Sequence, residues 1–232
     1  MIKFNNISKT YSKQTVLDVE SLEIKPGQAF GLVGNNGAGK TTLFSTLLDL
    51  IKPSTGQVLN NDINVRTSED WKSFTSAFLD ESFLIGYLMP EEYFYFVGEL
   101  RNFSKKQVDD FLTDFEDLFN NEILGGKKYI RDLSKGNQKK VGIVAALIGD
   151  PKVIVLDEPF ANLDPTTQIR LKKIIKNLSK KEDVTVLVSS HDLQDVTEFS
   201  DIIVLLEKGI VIKDIKKTKK TLQDLESYFT KE

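Results

Sequence analysis

The amino-acid sequence predicts an α/β fold, with a mainly parallel sheet flanked by helices, an N-terminal antiparallel β subdomain, and an inserted α-helical subdomain. Three observations predict it. The second half alternates short apolar strands with helical segments, the arrangement that builds parallel βαβ units. The opening residues read as successive β-type runs, and the middle of the chain is aromatic with helical spacing.

Ile2 to Ile7, Val16 to Ile24 and Gln28 to Val33 are the opening strands, and Lys25-Pro26-Gly27 supplies the turn between the second and third. From Lys40 the period becomes helical, with Leu43, Leu47, Leu48 and Ile51 on one side until Pro53 and Gly56 stop it. Between Met89 and Leu124, Tyr93, Phe96, Val97 and Leu100 share one helical face, and Phe111, Phe115, Leu118 and Phe119 share another. Most of these aromatics read as the core of the helical lobe. Four successive aromatics cannot all face inward on a helix, so some of Phe83, Leu84, Tyr87, Phe94 and Tyr95 are expected to line a groove. Ser104 and Gln107 form a capping box between two helices. After Ser134 come a helix to Ile148, the strand Val153 to Leu156, a helix after Pro165, the strand Val184 to Val188 and a short helix. The chain thus reads as one domain over 1–232, with the helical subdomain at about 83–140.

With 232 residues, 40% hydrophobic and 28% charged, the chain can bury a core without metal or disulfide staples. It has no cysteine, which excludes zinc-thiolate and cysteine-nucleophile chemistry and favours a cytoplasmic setting. The residues Met1 to Thr10 lack the apolar stretch of a signal peptide. The runs Val141 to Ile148 and Ile202 to Leu206 fall far short of the roughly 20 residues that span a bilayer. If a membrane is involved, another chain is expected to cross it. A net charge of −3 offers no basic footprint for nucleic acid, and the stretch Lys208 to Lys220 reads as a solvated surface.

Gly34-Asn35-Asn36-Gly37-Ala38-Gly39-Lys40-Thr41 fits the phosphate-loop pattern G-x-x-x-x-G-K-[ST] and sits, as that motif requires, between a strand and a helix. Its glycines let backbone N–H groups wrap phosphates, Lys40 reaches the outer phosphates, Thr41 ligates Mg²⁺, and Thr42 assists at the inner phosphates. The bland alternative is a glycine turn before a helix. Val153-Ile154-Val155-Leu156 ends in Asp157 and Glu158, at the strand end where α/β sheets place ligands. Asp157 is suited to hold Mg²⁺ and Glu158 to polarise an attacking water, against the alternative of a charged strand end. Leu133-Ser134-Lys135-Gly136-Asn137-Gln138 precedes a helix with Ser134 at the N-cap, which taken alone is only a good cap.

Together and in this order, these motifs resemble the ATP-binding cassette family, from Phe4 to about Val211. The resemblance implies a P-loop ATPase core that binds ATP and Mg²⁺. It also implies that Tyr11 stacks on adenine, that Gly34 to Thr42 is the Walker A loop, and that Leu133 to Gln138 is the signature sequence. Asp157 and Glu158 then complete Walker B, Ala161 to Asp164 is the D-loop, and His191, the only histidine, is the switch histidine facing the γ-phosphate. In the family, two such domains sandwich two ATP molecules, so Ser134 and Gly136 would serve the ATP of a second cassette, identical or paralogous. The lobe groove would receive a cytoplasmic helix of a polytopic membrane subunit. The subunit would then sit peripherally on the cytoplasmic face and power translocation.

Two departures from the family pattern stand out. Lys135-Gly136-Asn137 resembles exporter-type signatures. Asp80, or Glu81 if the alignment slips by one, falls where the family has the Q-loop glutamine that reaches the metal, and an acidic residue there looks like cassettes that handle antimicrobial peptides. The rival classes fit less well. A soluble cassette ATPase gating nucleic acid would carry long coiled coils, for which no heptad run exists, and ribosome-associated cassettes resemble two fused copies. A regulatory module without turnover would lack Glu158 or His191.

Overall fold

The computed structural model describes residues 1–216. It opens with an antiparallel hairpin of β1 (Ile2–Tyr11) and β2 (Gln14–Ile24), closed by Ser12 and Lys13, both at positive φ. Both turn residues at positive φ match the right-handed twist of the strands, and the turn leaves Tyr11 at the hairpin tip. The strand alternation is that of a half-buried sheet: Ile2, Phe4, Ile7, Leu17, Val19 and Ile24 point into the core. β3 (Ala29–Val33), buried at every position, follows and leads through the glycine-rich loop into α1 (Lys40–Leu47).

β4 (Thr55–Asn60) and β5 (Ile63–Asn64) complete the small sheet in the order β2-β1-β4-β5, and α1 packs against it through Leu43, Phe44 and Leu47. α1 is shorter than the apolar spacing out to Ile51 predicts. The chain turns at Asp49, which has φ 51°, and Leu50 is left exposed. β6 (Thr75–Phe78) then starts the large sheet and is followed by a 3-10 turn at Glu81–Phe83.

The helical lobe contains α2 (Pro90–Leu100), α3 (Lys105–Leu112), α4 (Glu116–Phe119) and α5 (Lys135–Leu147). The Ser104–Gln107 capping box is formed, with both reciprocal hydrogen bonds. The buried face of α2 differs from the predicted one. Pro90, Phe94 and Gly98, four apart, turn inward, whereas Phe96 and Leu100 are exposed. Gly98 fixes that choice, because a Cβ there would lie 2.4 Å from Val108, so only glycine lets α3 approach. Phe94, expected among groove residues, instead packs on Phe119 with ring centroids 5.8 Å apart. Residue 140 falls inside α5, which is buried from Gln138 to Leu147 and packs on β6.

The remaining elements are β7 (Val153–Leu156), α6 (Pro165–Leu178), β8 (Thr185–Ser190), α7 (Leu193–Thr197), β9 (Ile202–Glu207) and β10 (Ile210–Lys216). The large sheet runs β10-β9-β3-β8-β7-β6, parallel except for β10. One core lies between this sheet and the lobe with α6 and α7; the other lies between its opposite face, α1 and the small sheet. Among the described residues, no helix is long and apolar enough to cross a membrane. The end of the lysine-rich stretch, residues 217–220, lies outside the described residues.

Candidate active site

Parallel pairing sets the strand ends side by side: Val33 is in register with Ser190, Leu156 with Val188, and Phe78 with Leu156. The loops after β3, β6, β7 and β8 therefore open at one edge, carrying Gly34 to Gly39, Asp80, Asp157 with Glu158, and His191. The phosphate loop reaches α1 through Gly39, at φ 104°. Any side chain there would be strained and would meet the Val16 carbonyl at 2.9 Å, so the loop holds its shape only with glycine.

Lys40 is buried and donates from Nζ to the carbonyls of Gly34 at 2.6 Å and Asn35 at 3.3 Å, while pairing with Glu158 at 3.1 Å. A cation fixed by its own loop is aimed where phosphate charge would lie. Thr41 donates to Asp157 Oδ2 at 2.5 Å, and Ser189 Oγ donates to Asp157 Oδ1. Burial holds the Asp157 carboxyl above its usual value, and these two hydrogen bonds offset that only in part. A hydroxyl and a carboxylate meeting this closely form the hard-oxygen donor set that Mg²⁺ takes together with phosphate oxygens, so the residues fit that ion.

Glu158 has φ 47°, an uncommon conformation for a non-glycine residue. Its N–H donates to Ser189 Oγ at 2.9 Å, and Lys139 donates to its carbonyl at 3.0 Å. Its carboxylate lies 2.7 Å from His191 Nδ1. Burial disfavours the Glu158 anion, but hydrogen bonds from His191 and Lys40, reinforced by Lys40's charge, outweigh it and hold the carboxyl below the usual glutamate value. The group is therefore an ionised acceptor, suited to take a proton from water.

Tyr11, half exposed, lines a cavity of about 290 Å³ together with Asn36, Gly37, Ala38, Gly39, Lys40, Thr41, Thr42 and Glu158. Lys9 Nζ lies 4.7 Å from the Tyr11 ring centroid. Ser134 and Gly136 line a separate polar cleft of about 570 Å³ with Asn137, Asn162 and Asp164. Ser134 caps α5 by accepting from the Asn137 N–H, and Asp164 caps α6 by accepting from the Thr167 N–H. The Asp80 carboxylate caps the turn after β6, accepting from the Ser82 N–H at 2.6 Å. The neighbouring acid, Glu81, pairs instead with Lys139 at 3.9 Å.

Sequence reasoning missed Ser189 and Lys139. Ser189 is wholly buried at the end of an apolar strand, and a serine in that position was the available signal. Lys139 is a buried lysine in the polar first half of α5, between buried Gln138 and Lys140; burial pushes its ammonium down, and the charges of Glu81 and Glu158 oppose this.

A family model described as ABC transporter matches residues 17–161. The chain belongs to the ABC transporter ATP-binding family. An uncharacterised ABC transporter ATP-binding protein of Methanocaldococcus jannaschii is 34% identical over 211 residues, covering 90% of this chain and 74% of the relative. An energy-coupling factor transporter ATP-binding protein of Staphylococcus epidermidis is 30% identical over 228 residues, covering 91% and 78%. Among solved structures, an ATP-binding subunit of an ABC transporter superposes with TM-score 0.82 at 26% identity, over 99% of this chain and 93% of that one. A bacterial ABC transporter cassette solved as a dimer gives TM-score 0.80 at 25% identity, over 93% and 98%. This ABC protein is an ATP-binding and ATP-hydrolysing subunit of a transporter.

Proposed function

We propose that this ABC subunit works as one of a pair of cassettes that close on ATP and drive substrate through a separate membrane-spanning subunit. The observation that carries the pairing is the division of its candidate ATP contacts. Tyr11, Lys40 and Thr41 line one cavity, Ser134 and Gly136 line another, and no residue lines both. A second cassette facing the first would bring its Ser134 cap, with the positive end of α5, onto the outer phosphate bound at Lys40. The dimeric cassette among the solved relatives supports the same arrangement.

In this reading Lys40 holds the outer phosphates and Thr42 the inner ones, with the N–H groups of Asn35 to Gly39 around them. Mg²⁺, held by Thr41 and Asp157, would supply charge neutralisation for the phosphates. Glu158 takes a proton from water as its oxygen attacks the γ-phosphorus and the bond to the β-phosphate oxygen breaks, giving ADP and phosphate. His191 orients that carboxylate.

A groove of about 340 Å³ lined by Phe83, Leu84, Tyr93, Val97 and Arg101 supports docking of a membrane-subunit helix, and Phe83 is 57% exposed beside it. That docking places the subunit on the cytoplasmic face. The Lys135-Gly136-Asn137 variation supports export as the direction.

Glu158→Gln keeps shape while removing the base, so turnover should fall by about 10²–10⁴ while ATP still binds. Light scattering after size exclusion should then find monomer without nucleotide and dimer with ATP, and adding Ser134→Arg should abolish the dimer. Wild-type turnover in Glu158→Gln, or an ATP-dependent dimer in the double variant, would sink the proposal. Affinity purification from detergent-solubilised cells should recover a polytopic membrane protein; recovery of ribosomes or DNA-bound factors instead would reject the transport role.

A further inference from the structure

Lys139 is only 7% exposed, yet it brings an ammonium group into the region between α5 and the sheet edge. Its ammonium donates to the Glu158 carbonyl at 3.0 Å and the Ala161 carbonyl at 2.9 Å, spanning the turn that follows Walker B. Two carbonyls need only a neutral donor, and burying an ammonium instead carries a desolvation penalty that must be compensated. The compensation comes from carboxylates: Glu81 lies 3.9 Å away, and Asp80, Asp157 and Glu158 add their fields.

We propose that Lys139 is a positioning residue that fixes the Glu158 peptide and couples it, through Glu81, to the loop that follows β6. The inference rests on the reading of Glu158 as the base. Glu158 has the left-handed φ of 47°, and such a residue keeps its geometry only where its surroundings over-determine it. Ser189 holds the N–H side and Lys139 the carbonyl side. Glu81 and Phe83 share the 3-10 turn, and Phe83 borders the groove assigned to the membrane subunit. Displacing that turn carries Glu81 from Lys139, leaves the buried charge less compensated, and loosens its grip on the Glu158 carbonyl. Partner docking is thereby felt at the base.

The test uses the full chain with MgATP and a fluorescent ATP analogue, comparing wild type with Lys139→Met, Glu81→Gln and the double variant. Methionine fills the slot without donating. Lys139→Met should lower kcat about tenfold or more, the scale of a misplaced catalytic group, with KM and analogue affinity within about twofold of wild type. Glu81→Gln should lower kcat by roughly threefold, and the double variant should be no slower than Lys139→Met alone. An unchanged kcat in Lys139→Met, or equal loss of affinity and kcat, overturns the positioning role. A Glu81→Gln effect that multiplies fully on top of Lys139→Met overturns the coupling. Should Lys139→Met not fold, as read by its thermal melt, Glu81→Gln alone decides, since a wild-type kcat there removes the link. Glu158→Gln, assayed in parallel, separates the two claims. If it is inert while Lys139→Met turns over normally, only this inference fails; if it turns over normally, the reading of Glu158 fails first.

Discussion

Replacing Ser189 by alanine removes one hydroxyl that serves two catalytic-edge groups. Ser189 is fully buried, donates to Asp157 and accepts the Glu158 N–H at 2.9 Å. A hydrogen bond to a charged group is worth about 1.5–3 kcal/mol, and a buried N–H left unpaired costs about 1–3. The two losses share one atom and do not add fully, so Ser189→Ala should destabilise the fold by about 3 kcal/mol. Trp71, the only tryptophan, is buried and donates to the Val65 carbonyl, so its fluorescence reports unfolding. With a urea m-value of about 2–3 kcal/mol/M, the midpoint should fall by about 1–1.5 M. Removing the donor also leaves burial less opposed at Asp157, so its carboxyl should rise further and nucleotide turnover should drop. A midpoint shift below about 0.3 M at unchanged m would refute the reasoning, because it would mean that neither group depends on the hydroxyl.

Three other outcomes follow from the same structure. Phe94→Ala should cost about 3–5 kcal/mol, as for other fully buried phenylalanines, while Phe96→Ala should stay within about 1; urea melts giving the reverse order would restore the face predicted from spacing. Ser104→Ala removes a formed capping box and should lower stability by about 1 kcal/mol, measured the same way. Tyr95, hydrogen-bonded to Asp109, has its ionisation pushed up to about 12 from 10.0. The bond's stabilising contribution should be complete below pH 10 and lost as pH rises through about 12, and an ultraviolet difference titration against Tyr95→Phe should show one tyrosine ionising late.

The phosphate loop was legible because its function is encoded locally: the residues between Val33 and Lys40 decide the backbone shape. Asp157 and Glu158 were legible because an apolar strand ends abruptly in two acids. Their supporting residues were not, because Ser189 lies 32 residues from Asp157 and Lys139 lies 19 from Glu158, distances bridged only by sheet register and helix packing. The buried face of α2 escaped because Tyr93 to Phe96 are aromatic in succession, so period alone cannot choose between faces; Gly98 and its neighbour Val108 decide it. β4 and β6 escaped because each is short and carries few inward apolar residues: β4 buries only Val58 and Asn60. Asp80 was assigned by position along the chain; in the structure it caps the turn after β6, and its neighbour Glu81 meets Lys139.

α5 is enclosed along nearly its whole length, from Gln138 to Leu147. At about 1.5 Å per residue it is a rod some 20 Å long whose free end is Ser134 and whose flanks are already committed to β6, β7 and α2. Few of its positions can drift without disturbing packing on several sides. Divergence among paralogues that serve different membrane partners should therefore be carried by the exposed turn around Phe83 and the outer face of α2, at Phe96 and Leu100. The rod between them and the sheet should change slowly, so that new partnerships can arise without rebuilding the machinery that meets ATP.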